Sequence, residues 1–285
     1  MTSGVAMYVH ESGAEGSPTV VFLHGAGASG LMWRDHLARL ADGFHCLAPD
    51  LPGFGRSNHL PFVSRAVTAD LVADLVAARA PAGRAHLVGL SWGGGVAHTV
   101  LDRHLHLVDR AVIDGAGVLS SRSGPVVLLG IAVVAPFLHT RPVTGLFAGI
   151  IGMDEAGRED LRAASPRAFR SAFFEGFRSA VSRVEVRAAS PTLLVAGEQE
   201  SVIRPSNAAL AALMPHAVAR YAPGLGHGWT AKDPELHVRM VEAWLTGTAL
   251  PAELPPEIAS PATVRRLLRE LGEEPTDAVS GLVAH

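Results

Sequence analysis

Residues 88–95 read VGLSWGGG. An apolar run, residues 85–88, leads into it, and a helical pattern, GGGVAHTVLDRHL (residues 93–105), follows it. Gly89-Leu90-Ser91-Trp92-Gly93 fits the pattern G-x-S-x-G, in which a serine occupies a sharp turn between a strand and a helix and exposes its hydroxyl. Glycines beside the serine let other chain segments pass close to the turn. The stretch therefore predicts an exposed, nucleophilic Ser91 above the edge of a sheet.

Short apolar runs recur along the chain, and each is closed by glycine, proline or aspartate. They are TVVFLHG (19–25), FHCLAPD (44–50), AHLVGLS (85–91), RAVIDGAG (110–117) and PTLLVAGE (191–198). Such runs are typical of strands that are covered on both faces. Helical patterns such as SRAVTADLVADLVAARA (64–80) lie between them. The alternation predicts an α/β fold with a mostly parallel central sheet and helices on both faces.

The alternation breaks in residues 120–187, which divide the predicted core into residues 1–119 and 188–248. Two almost wholly apolar stretches lie here, GPVVLLGIAVVAPFLHT (124–140) and PVTGLFAGIIGM (142–153). A transmembrane helix needs about 20 apolar residues, whereas Pro136, His139 and Arg141 interrupt this region. We expect a helical lid over an apolar pocket and no transmembrane segment.

Residues 249–285 form a C-terminal extension that begins with a proline-rich linker. Ser260 followed by Pro261 is a typical helix start, and Gly272 is a typical stop. The apolar positions of the predicted helix share one stripe, formed by Val264, Leu267, Leu268 and Leu271. A short amphipathic helix of this kind is marginal alone, so it either docks on the main domain or meets a partner.

Composition and charge limit the possible functions. The net charge is −3 and the pI is about 6.5, so no basic face indicates binding to nucleic acid or to anionic lipid. Cys46, the single cysteine, is expected to be a small buried apolar residue. The N-terminal residues lack the pattern of a secretory signal, which favours a cytoplasmic location. We expect no metal and no cofactor, since no H-E-x-x-H, paired-cysteine or calcium-loop motif is present. The sequence leaves the oligomeric state open.

One rival pattern follows the first strong strand. Gly25, Gly27 and Gly30 satisfy G-x-G-x-x-G, and Asp50 follows 20 residues later. This spacing is typical of dinucleotide binding. It leaves the serine turn at Ser91 unexplained, so we favour hydrolytic chemistry.

Four motifs occur together in the order FLHGAGASG (22–30), DLPGFGRSN (50–58), GLSWG (89–93) and YAPGLGHGW (221–229). In this combination the sequence resembles the alpha/beta-hydrolase fold family of the serine-nucleophile type. The resemblance covers roughly residues 5–246, apart from the lid. The DLPGFGRSN loop is expected to brace the strand ends rather than to take part in the chemistry.

The resemblance implies a role for each matching position. Ser91 would be the nucleophile and His227 the base that removes its proton. Glu200 is the expected acid that orients the imidazole, and Asp114 and Glu198 remain as alternatives. The backbone N–H groups of two residues would form the oxyanion hole; these are Ala26 and Trp92.

The implied function is that of a serine esterase, which cleaves an ester or related carbonyl bond of an apolar small molecule through an acyl-enzyme. The same serine frame also serves C–C hydrolases and lyases, and a receptor-like protein could keep the triad for ligand binding. A scaffold acting through the C-terminal helix is a further alternative. A serine at position 91 argues against chemistry that forms an alkyl-enzyme ester through aspartate, as in dehalogenases and epoxide hydrolases.

Overall fold

A computed structural model describes residues 7–117, 124–151, 153–178 and 189–272. Its strands are β1 (Val9–Ser12), β2 (Thr19–Leu23), β3 (His45–Pro49), β4 (Ala85–Leu90), β5 (Val108–Asp114), β6 (Thr192–Gly197) and β7 (Ala217–Ala222). They form one sheet in the order β1-β3-β2-β4-β5-β6-β7. β1 pairs antiparallel with β3, and every other neighbouring pair is parallel. The five predicted apolar runs supply β2 to β6, and the predicted mostly parallel sheet is confirmed.

Helices cover both faces of the sheet, as the apolar composition of the strands requires. They are α1 (Arg34–Leu40), α2 (Arg65–Arg79), α3 (Trp92–Arg103), α4 (Gly124–Val134), α5 (Arg141–Ile151), α6 (Glu155–Ala163), α7 (Pro166–Arg178), α8 (Ile203–Ala211), α9 (Trp229–Lys232), α10 (Pro234–Thr246) and α11 (Pro261–Glu270). Every residue of β2, β3 and β6 is buried, including Cys46. One apolar cluster joins the sheet to α2, α3 and α8, and a second joins the opposite face to α1 and α10. Alternate strand residues thus supply two cores.

The helices α4 to α7 lie between β5 and β6 in the sequence, within the region predicted to be a lid. Helix α4 presents a largely apolar surface to solvent, with Val126 73% and Leu129 67% exposed. Within the described ranges, no helix is both long and apolar enough to reach across a lipid bilayer. The predicted boundaries of this region, at residues 119/120 and 187/188, lie outside the described residues. The role of these helices as a lid stays a prediction.

Helix α11 begins where the sequence predicts. The Ser260 hydroxyl accepts a hydrogen bond from the Thr263 N–H at 3.2 Å, which caps the first turn. Its apolar stripe packs mainly against α8, with Val264, Leu267 and Leu268 buried. Of the two predicted arrangements, the described residues therefore show docking on the main domain.

The parallel strands bring the chemistry-bearing loops to one edge of the sheet. β4, β5, β6 and β7 all point the same way, so their carboxyl ends lie together at that edge. In open sheets of this kind, ligand sites form outside the carboxyl ends of the strands. Ser91, Glu200 and His227 all follow strand ends of this group.

Candidate active site

Ser91 occupies a strained turn between β4 and α3. Its backbone has φ 56° and ψ −115°, and it is the one non-glycine residue with positive φ in the described part of the chain. A conformation of this kind costs of order 1–3 kcal/mol and persists where the surrounding structure enforces it. The Ser91 N–H donates to the Asp114 carbonyl at 2.8 Å, which ties the turn to the end of β5.

Two glycines allow this turn to fit against the sheet. A Cβ atom on Gly93 would lie 2.1 Å from the Leu23 carbonyl oxygen, at the end of β2. A Cβ atom on Gly89 would lie 2.5 Å from the Gly93 carbonyl oxygen. Any side chain at either position would push the turn away from the neighbouring backbone, so the glycines of the motif are a packing requirement.

His227 and Glu200 form a hydrogen-bonded pair. His227 Nδ1 lies 2.6 Å from Glu200 Oε1, and the second carboxylate oxygen accepts the Gly197 N–H at 2.7 Å. The Glu200 side chain is 6% exposed and that of His227 is 31% exposed. The carboxylate is thus held in place from both sides, while the imidazole remains accessible to a substrate.

The pKa of His227 is raised above its ordinary value of 6.5. Burial disfavours the charged imidazolium and acts in the opposite direction, but the hydrogen bond and the negative charge of Glu200 outweigh it. The site therefore stabilises a positively charged His227, which is the state that a general base reaches after it accepts a proton.

The imidazole lies beside the serine turn. A Cβ atom on Gly115 would be 2.8 Å from His227 Cε1. Gly115 directly follows Asp114, whose carbonyl accepts the Ser91 N–H. Among the described residues, no hydrogen bond joins the Ser91 hydroxyl to His227. Such bonds are often long in unliganded enzymes and shorten when substrate binds.

The two alternative acids make other contacts. The Asp114 carboxylate is fully buried and lies 3.4 Å from His237 Nε2. Burial, followed by the charge of Glu200, raises the pKa of Asp114 well above its ordinary value of 3.8. Glu198 points elsewhere and accepts the Gly224 N–H at 2.7 Å. Of the three acids, Glu200 is the one that the structure brings into a hydrogen bond with His227.

A buried polar group behind the site was missed by the sequence analysis. His237 of α10 lies against Asp114, and its Nδ1 is 2.7 Å from His36 Nε2. Burial lowers the pKa of His237 to about 3, so the ring is neutral. Within the described structure, His237 Nε2 is buried without a hydrogen-bond partner. No local spacing indicates this cluster, because His36 and His237 are 201 positions apart.

The loop after β2 carries the predicted oxyanion donor Ala26. His24 fixes this loop, since its Nδ1–H donates to the Gly25 carbonyl at 2.8 Å and its Nε2 accepts the Leu51 N–H at 2.9 Å. Burial lowers the pKa of His24 to about 4, which keeps the ring neutral. Trp92 lies in the first turn of α3, where N–H groups have no partner within the helix. Both N–H groups remain proposed donors.

The dinucleotide interpretation does not agree with the geometry of Asp50. This carboxylate accepts the Gly30 N–H and the Arg56 N–H, each at 2.7 Å, and it lies 3.1 Å from His10 Nε2. It is 1% exposed and braces the loops after β2 and β3. It is therefore not available to bind a ribose hydroxyl. As for metals, the described residues contain no cluster of three or more His, Cys, Asp or Glu side chains suited to an ion.

The helices between β5 and β6 contact the loop after β2. A Cβ atom on Gly27 would lie 2.5 Å from Leu161 Cδ1 and 3.0 Å from Phe169 Cε2. Polar contacts fix the same helices, since the Ser29 hydroxyl donates to Asp160 Oδ2 at 2.5 Å. Apolar side chains of α6 and α7 thus stand beside the proposed oxyanion loop.

Comparison with known proteins agrees with this architecture. Residues 20–239 match the model of the alpha/beta hydrolase family. Epoxide hydrolase A of Mycobacterium tuberculosis is 39% identical over 95 residues, which cover 32% of this chain and 30% of that protein. A haloalkane dehalogenase of Bradyrhizobium diazoefficiens is 35% identical over 94 residues, which cover 33% of this chain and 30% of that protein. These alignments span less than a third of either relative.

The fold is also similar to solved structures. A thermophilic esterase from Thermogutta terrifontis superposes with a TM-score of 0.71 at 22% identity, and the match covers 85% of this chain and 93% of that chain.

Proposed function

We propose that this chain, which belongs to the alpha/beta hydrolase family, is a serine hydrolase that cleaves an ester or related carbonyl bond of an apolar small molecule. One observation carries the proposal: the His227 imidazole is hydrogen-bonded to the buried carboxylate of Glu200 and lies beside the turn that holds Ser91. Acyl transfer of this kind requires a serine, an oriented imidazole and an acid. Here they follow one another along the chain in the order Ser, Glu, His.

In the proposed reaction, His227 Nε2 removes the proton from the Ser91 hydroxyl as Oγ attacks the substrate carbonyl carbon. The negative charge that develops on the carbonyl oxygen is stabilised by the N–H groups of Ala26 and Trp92. The tetrahedral intermediate expels the alcohol, which takes the proton from His227, and leaves an acyl-enzyme on Ser91. Water then attacks the acyl carbon as His227 removes its proton, and His227 returns that proton to Ser91 Oγ as the carboxylic acid is released. Glu200 stays ionised and stabilises the imidazolium.

The residue type at position 91 selects among family chemistries. The curated relatives include proteins named as an epoxide hydrolase and a haloalkane dehalogenase. Alkyl-enzyme esters in such chemistry form through an aspartate, whereas a serine attacks a carbonyl carbon. Ser91 therefore supports acyl transfer, and ester hydrolysis is its simplest form.

An apolar substrate is supported by the side chains around the oxyanion loop. Leu161 and Phe169 reach Gly27 from α6 and α7, and Phe62 packs against Trp92 with ring centres 5.4 Å apart. We infer that α4 to α7 act as a lid, and that their apolar side chains bind the acyl or alcohol group of the substrate.

Fluorophosphonate labelling combined with ester hydrolysis tests the proposal. Intact-protein mass spectrometry should show one adduct on the wild type and none on Ser91→Ala. Hydrolysis of p-nitrophenyl butyrate should proceed through many turnovers, and both Ser91→Ala and His227→Ala should reduce kcat by up to about 10⁶-fold. A labelled protein that releases no more than one equivalent of nitrophenol would instead indicate a receptor-like ligand-binding protein. Equal rates with charged and apolar acyl groups would contradict the apolar pocket.

A further inference from the structure

A cavity of about 570 Å³ lies between the sheet and the C-terminal segment. Arg110 of β5, Arg220 of β7 and Trp244 of α10 contribute to its wall, together with residues 247–248, 250–252 and 254–256. The residues that line the cavity do not include Ser91, Glu200 or His227, so it is distinct from the proposed active site. The cavity raises the question of what its two arginines bind.

The outer wall of the cavity is firmly attached to the sheet. The Tyr221 N–H donates to the Pro255 carbonyl at 3.3 Å, and the Glu257 N–H donates to the Ala219 carbonyl at 3.0 Å. Arg239 of α10 pairs with Glu253 of the linker at 2.9 Å. These contacts hold the linker as a fixed wall beside β7.

Two arginine side chains line the cavity. Arg110 and Arg220 lie on the same face of the sheet as Val112 and Val218, as the alternation of strand side chains requires. In the described part of the chain, neither guanidinium forms an ion pair with a carboxylate. Arg220 Nη1 donates to the Ala219 carbonyl at 3.1 Å. Two positive charges thus share one cavity without a counter-charge.

Trp244 lines the cavity beside Arg110. Trp244 Nε1 is buried and has no hydrogen-bond partner among the described residues. The Arg110 guanidinium lies 5.9 Å from the centre of the Trp244 ring. Burial lowers the pKa of Arg220.

We propose that this cavity binds a small organic anion, whose carboxylate or phosphate group is attracted by the guanidinium charges of Arg110 and Arg220. The planar guanidinium fork matches both of these oxyanions. The rest of the wall is largely apolar and includes Val218, Leu250 and Leu254. The apolar body of the ligand lies against these side chains. The proposal is independent of the reaction at Ser91.

Isothermal titration calorimetry with benzoate and with phenyl phosphate tests this site and distinguishes the two head groups. We expect at least one of them to bind the wild type, and Arg110→Gln and Arg220→Gln each to weaken binding by about tenfold or more. Arg103→Gln is the matched control, because Arg103 is exposed and pairs with Asp70 at 3.1 Å on another part of the surface. This variant removes the same charge and should bind as the wild type does.

Ala252→Trp separates binding from folding. Ala252 lines the cavity from the exposed linker, so a large side chain there should fill the cavity while both arginines stay in place. We expect binding to be lost and the melting temperature to stay within about 2 °C of the wild type. The proposal is overturned if neither anion binds the wild type, if Arg103→Gln weakens binding as much as the cavity variants do, or if Ala252→Trp binds like the wild type.

Discussion

Glu200 Oε1 accepts a hydrogen bond from His227 Nδ1 at 2.6 Å, although 27 positions separate the two residues. β6 and β7 are parallel neighbours, so the loops that follow them open at the same edge of the sheet. The second oxygen of Glu200 is held by the Gly197 N–H, which leaves Oε1 directed at the imidazole. The hydrogen bond from Gly197 to Glu200 spans the loop after β6, and it accommodates the extra methylene that glutamate has compared with aspartate.

Exchange of the acids should identify the one that supports His227. Glu200→Gln removes the main interaction that raises the pKa of His227, so the acid limb of the kcat/KM profile should shift to lower pH. The sign follows because activity requires the neutral imidazole and appears as the pH rises through its pKa. We expect kcat to fall by about 10²- to 10⁴-fold, since the imidazole also loses its orienting carboxylate.

Asp114→Asn is the control for this comparison. The variant keeps the hydrogen bond between Glu200 and His227, and we expect kcat to stay within about tenfold of the wild type. A larger loss in Asp114→Asn than in Glu200→Gln would assign the acid to Asp114 instead. Stopped-flow or steady-state rates from pH 5 to 9 provide the measurement.

The sequence was sufficient to predict the parts of the fold that depend on local pattern. The buried runs of β2 to β6 are continuous and apolar, and the helix start at Ser260 has a side-chain cap with proline directly after it. The turn at Ser91 was predictable for the same reason. Neighbouring backbone, within the motif and at the end of β2, lies so close to the turn that the motif requires its glycines. The edge strand β1, of sequence VHES, has no apolar run and gave no such signal.

Features that depend on tertiary contacts were not predictable. Three acids follow strand ends, and their spacing cannot show which one meets His227, because that choice depends on the loop after β6. The contact between His36 and His237 joins distant helices and has no motif. Likewise, the proline-rich linker has the composition of a spacer, yet it forms one wall of the cavity that Arg110 and Arg220 also line.

Replacement of Ser91 by glycine should stabilise the protein while it abolishes turnover. Serine at φ 56° carries strain of about 1–3 kcal/mol, and glycine adopts this region freely at an entropic cost of about 0.5–1 kcal/mol. We expect a net gain of about 1 kcal/mol in the free energy of unfolding, measured by urea denaturation. Ser201→Gly, on an exposed loop, is the matched control and should be neutral or slightly destabilising. A Ser91→Gly variant less stable than the wild type would contradict strain at this turn.

The buried Asp114 should make stability depend on pH. Its pKa is raised in the folded state above the ordinary value of 3.8, so the folded protein holds a proton that the unfolded chain has lost. Stability attributable to this group therefore falls as the pH rises from about 4 through the folded-state pKa. Asp114→Asn removes this titration. The free energy of unfolding of the variant minus that of the wild type should therefore increase between pH 5 and 8. A difference that is constant over this range would show that Asp114 is ionised in the folded protein.

The C-terminal helix should be a structural part of the domain. Leu267 is fully buried where α11 packs on α8, so Leu267→Ala should reduce the free energy of unfolding by about 2–5 kcal/mol. Arg265 is exposed on the same helix, and Arg265→Ala should change stability by less than about 0.5 kcal/mol. If α11 instead existed to bind a partner as a scaffold, Leu267 would contribute nothing to the isolated chain, and both variants would unfold at the same urea concentration as the wild type. Because α8 begins just after Glu200 and the Arg204 N–H donates to the Glu200 carbonyl at 3.0 Å, docking of α11 also supports the loop that holds the proposed acid.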